Sequence, residues 1–157
     1  MIPYFILPSL PIYGSLAIQP FGILVLTGII VGARLASRRA REMGLSPEVI
    51  QGAIRWAAVT GLVGAHIFDV LWYFPERLQI EGIWTLFKFW DGISSFGGFL
   101  AGLIGVWFYF LRLRISWIRY ADIIIQALVV SMVFGRLGCA IVHDHPGELT
   151  NFFLAVN

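Results

Sequence analysis

The chain has 157 residues, of which 59% are hydrophobic and 13% are charged, and its mean hydropathy is +0.83. A soluble domain carries roughly a quarter of its residues as charged side chains, so this composition indicates an integral membrane protein. The net charge of +2 does not favour a nucleic-acid partner. The single cysteine excludes an internal disulfide and a metal site made of cysteines alone.

The first twenty residues contain four prolines, Pro3, Pro8, Pro11 and Pro20. Proline removes a backbone donor and clashes with the preceding helical turn, so a continuous helix is excluded here. The remaining residues of the segment are mainly apolar or aromatic. We therefore expect residues 1–20 to lie at the membrane interface or to pack in short pieces.

Four apolar stretches follow, each close to the ~20 residues needed to cross a bilayer. They are residues 21–36, 53–74, 92–111 and 121–142. Backbone polar groups in lipid must be satisfied within the segment, which favours helices over open strands. The sequence predicts an all-α, polytopic membrane bundle with about four transmembrane helices, forming one domain over residues 1–157.

The loops between these stretches differ in charge. The first loop, taken with the end of the stretch before it, carries Arg34, Arg38, Arg39 and Arg41. The third loop carries Arg112, Arg114 and Arg119. The second loop carries Arg77 and Lys88, whose charges are offset by Glu76, Glu81 and Asp91. Loops rich in Lys and Arg remain in the cytoplasm. The first and third loops are thus predicted to be cytoplasmic and both termini external.

This topology predicts that several polar side chains share the outer third of the membrane: His66, Asp69, Ser94, Ser95 and Arg136. At a rise of 1.5 Å per residue, Asp69 and Arg136 each lie about 24 Å from the start of their spans. A charge at membrane depth costs roughly 2.5–3.5 kcal/mol on insertion scales, which makes it a functional hypothesis by default. Arg136 either binds an anion such as phosphate or forms a structural ion pair with Asp69. The two roles are compatible if Asp69 orients Arg136.

A His-Asp-His cluster, His143, Asp144 and His145, follows the last stretch. Pro146 disfavours helix at the residue before it, so the helix is expected to end near His143. Arg136, Cys139 and His143 are spaced i, i+3, i+7 and share one helical stripe. The cluster provides two imidazoles that can accept a proton, or else ordinary polar residues of an interfacial turn. Its histidines supply too few ligands for a metal site, and no metal or cofactor is predicted.

Three segments carry a resemblance to a known family. Residues 90–98, W-D-G-I-S-S-F-G-G, resemble W-D-G-G-M-S-F-H-G-G; residues 120–122, Y-A-D, resemble Y/V-A-D; and residues 135–138, G-R-L-G, resemble G-R-L/I-G-N. Residues 19–22 and 64–73 are weaker matches, to W-Y-G and to G-G-R-L-G-Y-V-L-F-Y. The order and spacing of these segments also match over most of the chain. Together they resemble the prolipoprotein diacylglyceryl transferases of the bacterial inner membrane.

The resemblance implies transfer of a diacylglyceryl group from phosphatidylglycerol to the lipobox cysteine of preprolipoproteins. The implied partners are that lipid, the lipobox peptide and the bilayer, without nucleic acid, in an inner membrane with both termini periplasmic. Arg136 matches the family's arginine and is expected to hold the phosphate. The predicted substrate-binding residues are Arg136, Asp69, Ser94, Ser95, Gly97, Gly98 and Asp144. Either Asp69 or Asp144 would orient the base.

The chain also departs from the family pattern. The family's histidine corresponds to Phe96 or is lost in a one-residue deletion. Cys139 stands where the family has an asparagine, and His66 where it has an arginine. We therefore expect a divergent and truncated member whose catalytic base is His143, His145 or His66. The alternative is a non-enzymatic or degenerate relative, a transporter-like unit in which Arg136 and Asp69 guide an anion.

Overall fold

The computed structural model describes residues 10–13, 16–88, 92–142 and 152–153. Within them two short strands precede five α-helices. The strands are β1 (Leu10–Tyr13) and β2 (Leu16–Ile18), and the helices are α1 (Pro20–Glu42), α2 (Pro47–Phe68), α3 (Glu76–Glu81), α4 (Ser95–Leu113) and α5 (Ile118–Val142). A π-helical turn, Asp69–Tyr73, continues α2, and a 3-10 segment, Gly82–Phe87, follows α3.

Four of the described helical stretches are long and apolar enough to cross a membrane: Pro20–Glu42, Pro47–Tyr73, Ser95–Leu113 and Ile118–Val142. The predicted all-α membrane class with four spans is therefore confirmed. Some helices extend beyond their apolar stretches for local reasons. Near the end of α1, Glu42 accepts from Arg38 at 3.1 Å and from Arg39 at 3.2 Å. Ser46 begins α2 early by accepting the Val49 N–H at 3.3 Å, with Pro47 in the first turn.

The segment before α1 contains a β-hairpin that the sequence analysis did not predict. β1 and β2 are antiparallel and pair Leu10 with Ile18 and Tyr13 with Leu16, with an irregularity between Pro11 and Tyr13. Proline is tolerated in edge strands and at bulges. Among the described residues, the first helix begins at Pro20.

The chain forms two compact units. The first comprises residues 1–35 and 125–157, so it holds the hairpin, most of α1 and most of α5. In this unit the Ser131 hydroxyl lies 3.0 Å from the Gly28 carbonyl oxygen and 2.8 Å from that of Ala127. A Cβ built at Gly32 would lie 2.8 Å from the Ala127 carbonyl oxygen. Glycine therefore allows α1 and α5 to approach closely here.

The second unit comprises residues 36–124 and is dominated by the packing of α2 on α4. A Cβ built at Gly61 would lie 3.2 Å from the Gly98 carbonyl oxygen, and one at Gly64 would lie 3.1 Å from that of Gly97. Small residues thus line the contact on both helices, an arrangement by which van der Waals contact holds helices together in lipid. This packing sets the start of α4 against the end of α2.

Candidate active site

A group of polar residues gathers where α2 ends and α4 begins. We call it the α2–α4 polar cluster and define it as His66, Asp69, Arg77, Thr85, Gly92 and Ser94. Four of its side chains belong to buried residues, with exposures of 0% for His66, 6% for Asp69, 1% for Thr85 and 5% for Ser94. Polar groups buried to this extent need partners, and those partners define the geometry of the cluster.

The imidazole of His66 lies between two backbone carbonyl groups. Its Nδ1 atom is 3.0 Å from the Gly92 oxygen and its Nε2 atom is 2.9 Å from the Thr85 oxygen. Both ring nitrogens are thus occupied by groups that only accept hydrogen bonds. We therefore expect His66 to hold the backbone in place rather than to accept a proton from a substrate thiol.

Asp69 faces an arginine of its own unit. The Arg77 Nη1 atom lies 3.9 Å from Asp69 Oδ2, and the Arg77 Cζ atom lies 4.3 Å from the centre of the Phe74 ring. The π-helical turn is followed by Pro75 and then by α3, which carries Arg77. The sequence analysis treated Arg77 only as a loop charge. The predicted pair between Asp69 and Arg136 joins residues of different units and stays a prediction.

The segment before α4 packs closely against these charged groups. Gly92 has a φ of +119°, and a Cβ there would collide with the Asp69 carboxylate and lie 3.4 Å from Arg77 Nη1. Ser94 caps α4, because its Oγ accepts the Gly97 N–H at 3.3 Å. The Ser94 N–H itself donates to the Ala65 carbonyl at 3.0 Å. The start of α4 is thereby fixed to the end of α2.

The other predicted residues of this segment differ in their exposure. Ser95 is exposed, whereas Gly97 is buried and a Cβ there would lie 2.8 Å from the Gly64 carbonyl oxygen. A Cβ at Gly98 would lie 3.4 Å from the Ala65 Cβ, so both glycines pack α4 against α2. Phe96 is 59% exposed, and its ring centre lies 5.3 Å from that of Phe68. It has no group that can accept a proton.

Arg136 lies in the first unit, on α5, and is exposed. Together with Val129, Met132, Val133 and Leu137 it lies on one largely apolar face of α5. No Asp or Glu occurs in residues 10–35 or 125–142, so the described part of this unit offers no acidic side chain to the guanidinium. Arg136 thus places a charge beside an apolar surface, which suits a ligand with an anionic head and an apolar body.

The His143, Asp144 and His145 cluster lies outside the described residues, and α5 ends at Val142, immediately before it. Its predicted role as base therefore stays a prediction. Among the residues that the structure describes, no three His, Cys, Asp or Glu side chains gather to hold a metal ion.

An ion pair anchors the 3-10 segment that carries Thr85. Glu81 Oε2 accepts from Lys88 Nζ at 2.7 Å and from Thr85 Oγ1 at 2.9 Å. The hydrogen bond from Lys88, followed by that from Thr85, holds the pKa of the Glu81 carboxyl below its usual range. Thr85 therefore contacts Glu81 through its hydroxyl and His66 through its carbonyl.

Comparison with known proteins gives a consistent family. A relative from Chromohalobacter salexigens is 28% identical over 88% of this chain and 52% of its own length. One from Gloeobacter violaceus is 30% identical over 88% of this chain and 51% of its own length. One from Leifsonia xyli is 30% identical over 84% of this chain and 41% of its own length. All three carry the name phosphatidylglycerol–prolipoprotein diacylglyceryl transferase.

The chain spans about half the length of the first two of these relatives. The family model described as prolipoprotein diacylglyceryl transferase matches residues 8–157, which is nearly the whole chain. This match covers the helices that carry both the α2–α4 polar cluster and Arg136. The chain belongs to the prolipoprotein diacylglyceryl transferase family.

Proposed function

We propose that the protein transfers a diacylglyceryl group from phosphatidylglycerol to the lipobox cysteine thiol of preprolipoproteins. The observation that carries the proposal is Arg136, an exposed cation on an apolar face of a membrane-length helix, in a unit whose described part has no acidic residue. A phospholipid has a phosphate that can pair with the guanidinium and acyl chains that can cover the apolar surface. The family membership and the names of the relatives support the same chemistry.

The proposed reaction exchanges one bond for another. The acceptor sulfur attacks the glyceryl carbon that carries the phosphate, an S–C bond forms, and the C–O bond to the phosphate breaks. The electron pair of that bond leaves with glycerol phosphate, and the thiol proton goes to a base. Arg136 holds the phosphate through its guanidinium fork and stabilises the charge on the leaving group.

The thiolate is the nucleophile. A free thiol has a pKa of about 8.5, so most of it is protonated at neutral pH and a base is needed. Phe96 cannot act as that base, and both nitrogens of His66 face carbonyl groups. The proposed base is therefore His143, with His145 as the second choice. Asp144 is the proposed orienting carboxylate, because a carboxylate bonded to one imidazole nitrogen fixes its tautomer.

The proposed location is the bacterial inner membrane, with the loops after α1 and α4 in the cytoplasm. Four arginines at or near the end of α1 and three around the α4–α5 loop support this orientation. Arg136 and the α2–α4 polar cluster would then face the outer leaflet, where the lipid and the lipobox peptide meet.

A transfer assay tests the proposal. The chain is reconstituted in phosphatidylglycerol vesicles with a lipobox peptide, and mass spectrometry detects the diacylglyceryl thioether. We expect product with the cysteine peptide and none with its serine counterpart or in phosphatidylcholine vesicles. The relative from Gloeobacter violaceus serves as positive control. Product from that relative but none from this chain would overturn the proposal and favour the non-enzymatic alternative.

A further inference from the structure

His66 is the most completely enclosed titratable side chain of the α2–α4 polar cluster. It is 0% exposed, and its two nitrogens lie 3.0 and 2.9 Å from the oxygens of Gly92 and Thr85. Thr85 belongs to the 3-10 segment, and Gly92 precedes the N-cap of α4. One side chain therefore contacts the backbone on both sides of the connection between these elements.

The chemistry of the two contacts determines the number of protons on the ring. A neutral imidazole has one N–H donor and one lone pair, whereas a carbonyl oxygen only accepts. A neutral ring would therefore satisfy one carbonyl and set its lone pair against the other oxygen at about 3 Å. A ring with both nitrogens protonated donates to both, and charge-assisted hydrogen bonds of this kind are roughly twice as strong as neutral ones.

We propose that His66 is a positioning residue, held as an imidazolium, that clasps the Thr85 and Gly92 carbonyls and thereby sets the start of α4. The assignment of the charge stands apart from the proposed transferase function. Its consequence for catalysis rests on that function.

The charged groups around the ring are compatible with a cation. Asp69 follows one helical turn after His66, and its side chain is 8% exposed. Arg77 Nη1 on α3 lies 3.9 Å from Asp69 Oδ2. Glu81 and Lys88 pair with each other on the side of Thr85, and the described start of α4 contributes Ser94 and Ser95 without charge. Asp91 lies outside the described residues.

Nitrogen NMR counts the ring protons directly. The chain has three histidines, so a variant with His143→Gln and His145→Gln leaves His66 alone. With ¹⁵N-labelled histidine in detergent micelles at neutral pH, we expect two protonated ring nitrogens. One protonated and one unprotonated nitrogen would overturn the proposal. This measurement needs no transferase activity, so a failure of the proposed function leaves it unaffected.

Matched variants test the clasp. Arg in place of His66 keeps a planar cation with several donors, whereas Gln keeps only one neutral amide. We expect His66→Gln to raise amide hydrogen exchange in residues 86–88 and 92–94 by roughly tenfold and His66→Arg to stay within about twofold of the parent. Equal exchange in both variants would contradict the proposal. If both variants fail to fold, the nitrogen measurement still decides.

Activity provides a second readout of the clasp, and this readout rests on the proposed transferase function. In transfer assays His66→Arg should retain kcat, whereas His66→Gln should lose it with little change in the KM for lipid.

Discussion

Arg136 is the residue on which binding of the lipid phosphate should depend most. We expect Arg136→Lys to reduce transfer at least about tenfold, or roughly 1.4 kcal/mol in the transition state, because lysine keeps the charge but not the bidentate fork. Initial rates with a lipobox peptide, measured against phosphatidylglycerol concentration, check this. Arg112→Lys, in the last turn of α4, is the matched control and should leave the rate unchanged. Near-parent activity of Arg136→Lys would show that no fork is used.

The proton acceptor is predicted to lie in the His143-Asp144-His145 turn. A positioned general base contributes about 10²–10⁴-fold, so a double variant with His143→Ala and His145→Ala should lose at least a hundredfold in rate. His143→Ala should be the more damaging single change, because it shares the helical stripe of Arg136. The assay is peptide lipidation at equal membrane levels of each variant. A double variant within about threefold of the parent contradicts the relocated base.

The sequence identified some residues of the site and missed others for physical reasons. Arg136 is evident because a charge inside an apolar run is costly and therefore conspicuous. The partners of His66 are backbone carbonyls, which leave no mark in the sequence. Arg77 comes close to Asp69 through the π-helical turn and the residues that follow it, and hydrophobic periodicity does not reveal a turn of this kind.

Among the elements, the α2–α4 pair is predicted to depend on the small size of Gly64. A Cβ at this position on α2 would collide with the Ala101 Cβ on α4. Overpacking of this kind costs about 1–3 kcal/mol, so Gly64→Ala should lower the thermal midpoint in detergent. Gly135→Ala on α5 is the control, because a Cβ there meets nothing within 4 Å. Equal midpoints for the two variants would contradict the close packing.

The 3-10 segment gives a prediction about pH. The Lys88 and Thr85 hydrogen bonds lower the pKa of Glu81, so their stabilisation is present above the ordinary Glu pKa and is lost as pH falls through the lowered value. Lys88→Met should therefore raise the pH at which the Glu81 carboxyl titrates, as followed by ¹³C NMR of labelled glutamate, with Glu81→Gln identifying the signal. An unchanged titration would show that the pair does not form in solution.

The existence of the long helices followed from hydrophobicity, but their ends depend on polar residues that a hydrophobicity pattern passes over. With Ser46 as its N-cap, α2 begins at Pro47, six residues before the apolar stretch that was predicted to start at residue 53. The ion pair between Arg38 and Glu42 lies in the part of α1 that extends beyond residue 36. The pairing of β1 with β2 was not predicted from the sequence either. The prolines of residues 1–20 argued only against helix and did not indicate paired strands.

For the whole molecule, the charge asymmetry of the loops predicts the orientation in the membrane. Both basic loops should remain in the cytoplasm, because translocating Lys and Arg near a span end is disfavoured. Single cysteines in a Cys139→Ala background test this at exposed positions, Met43 in the first loop and Ile80 on α3, which are 48% and 80% exposed. A membrane-impermeant maleimide applied to intact cells should label Ile80→Cys and leave Met43→Cys unmodified. Met43→Cys should react once the membrane is permeabilised, and its labelling in intact cells would reverse the proposed orientation.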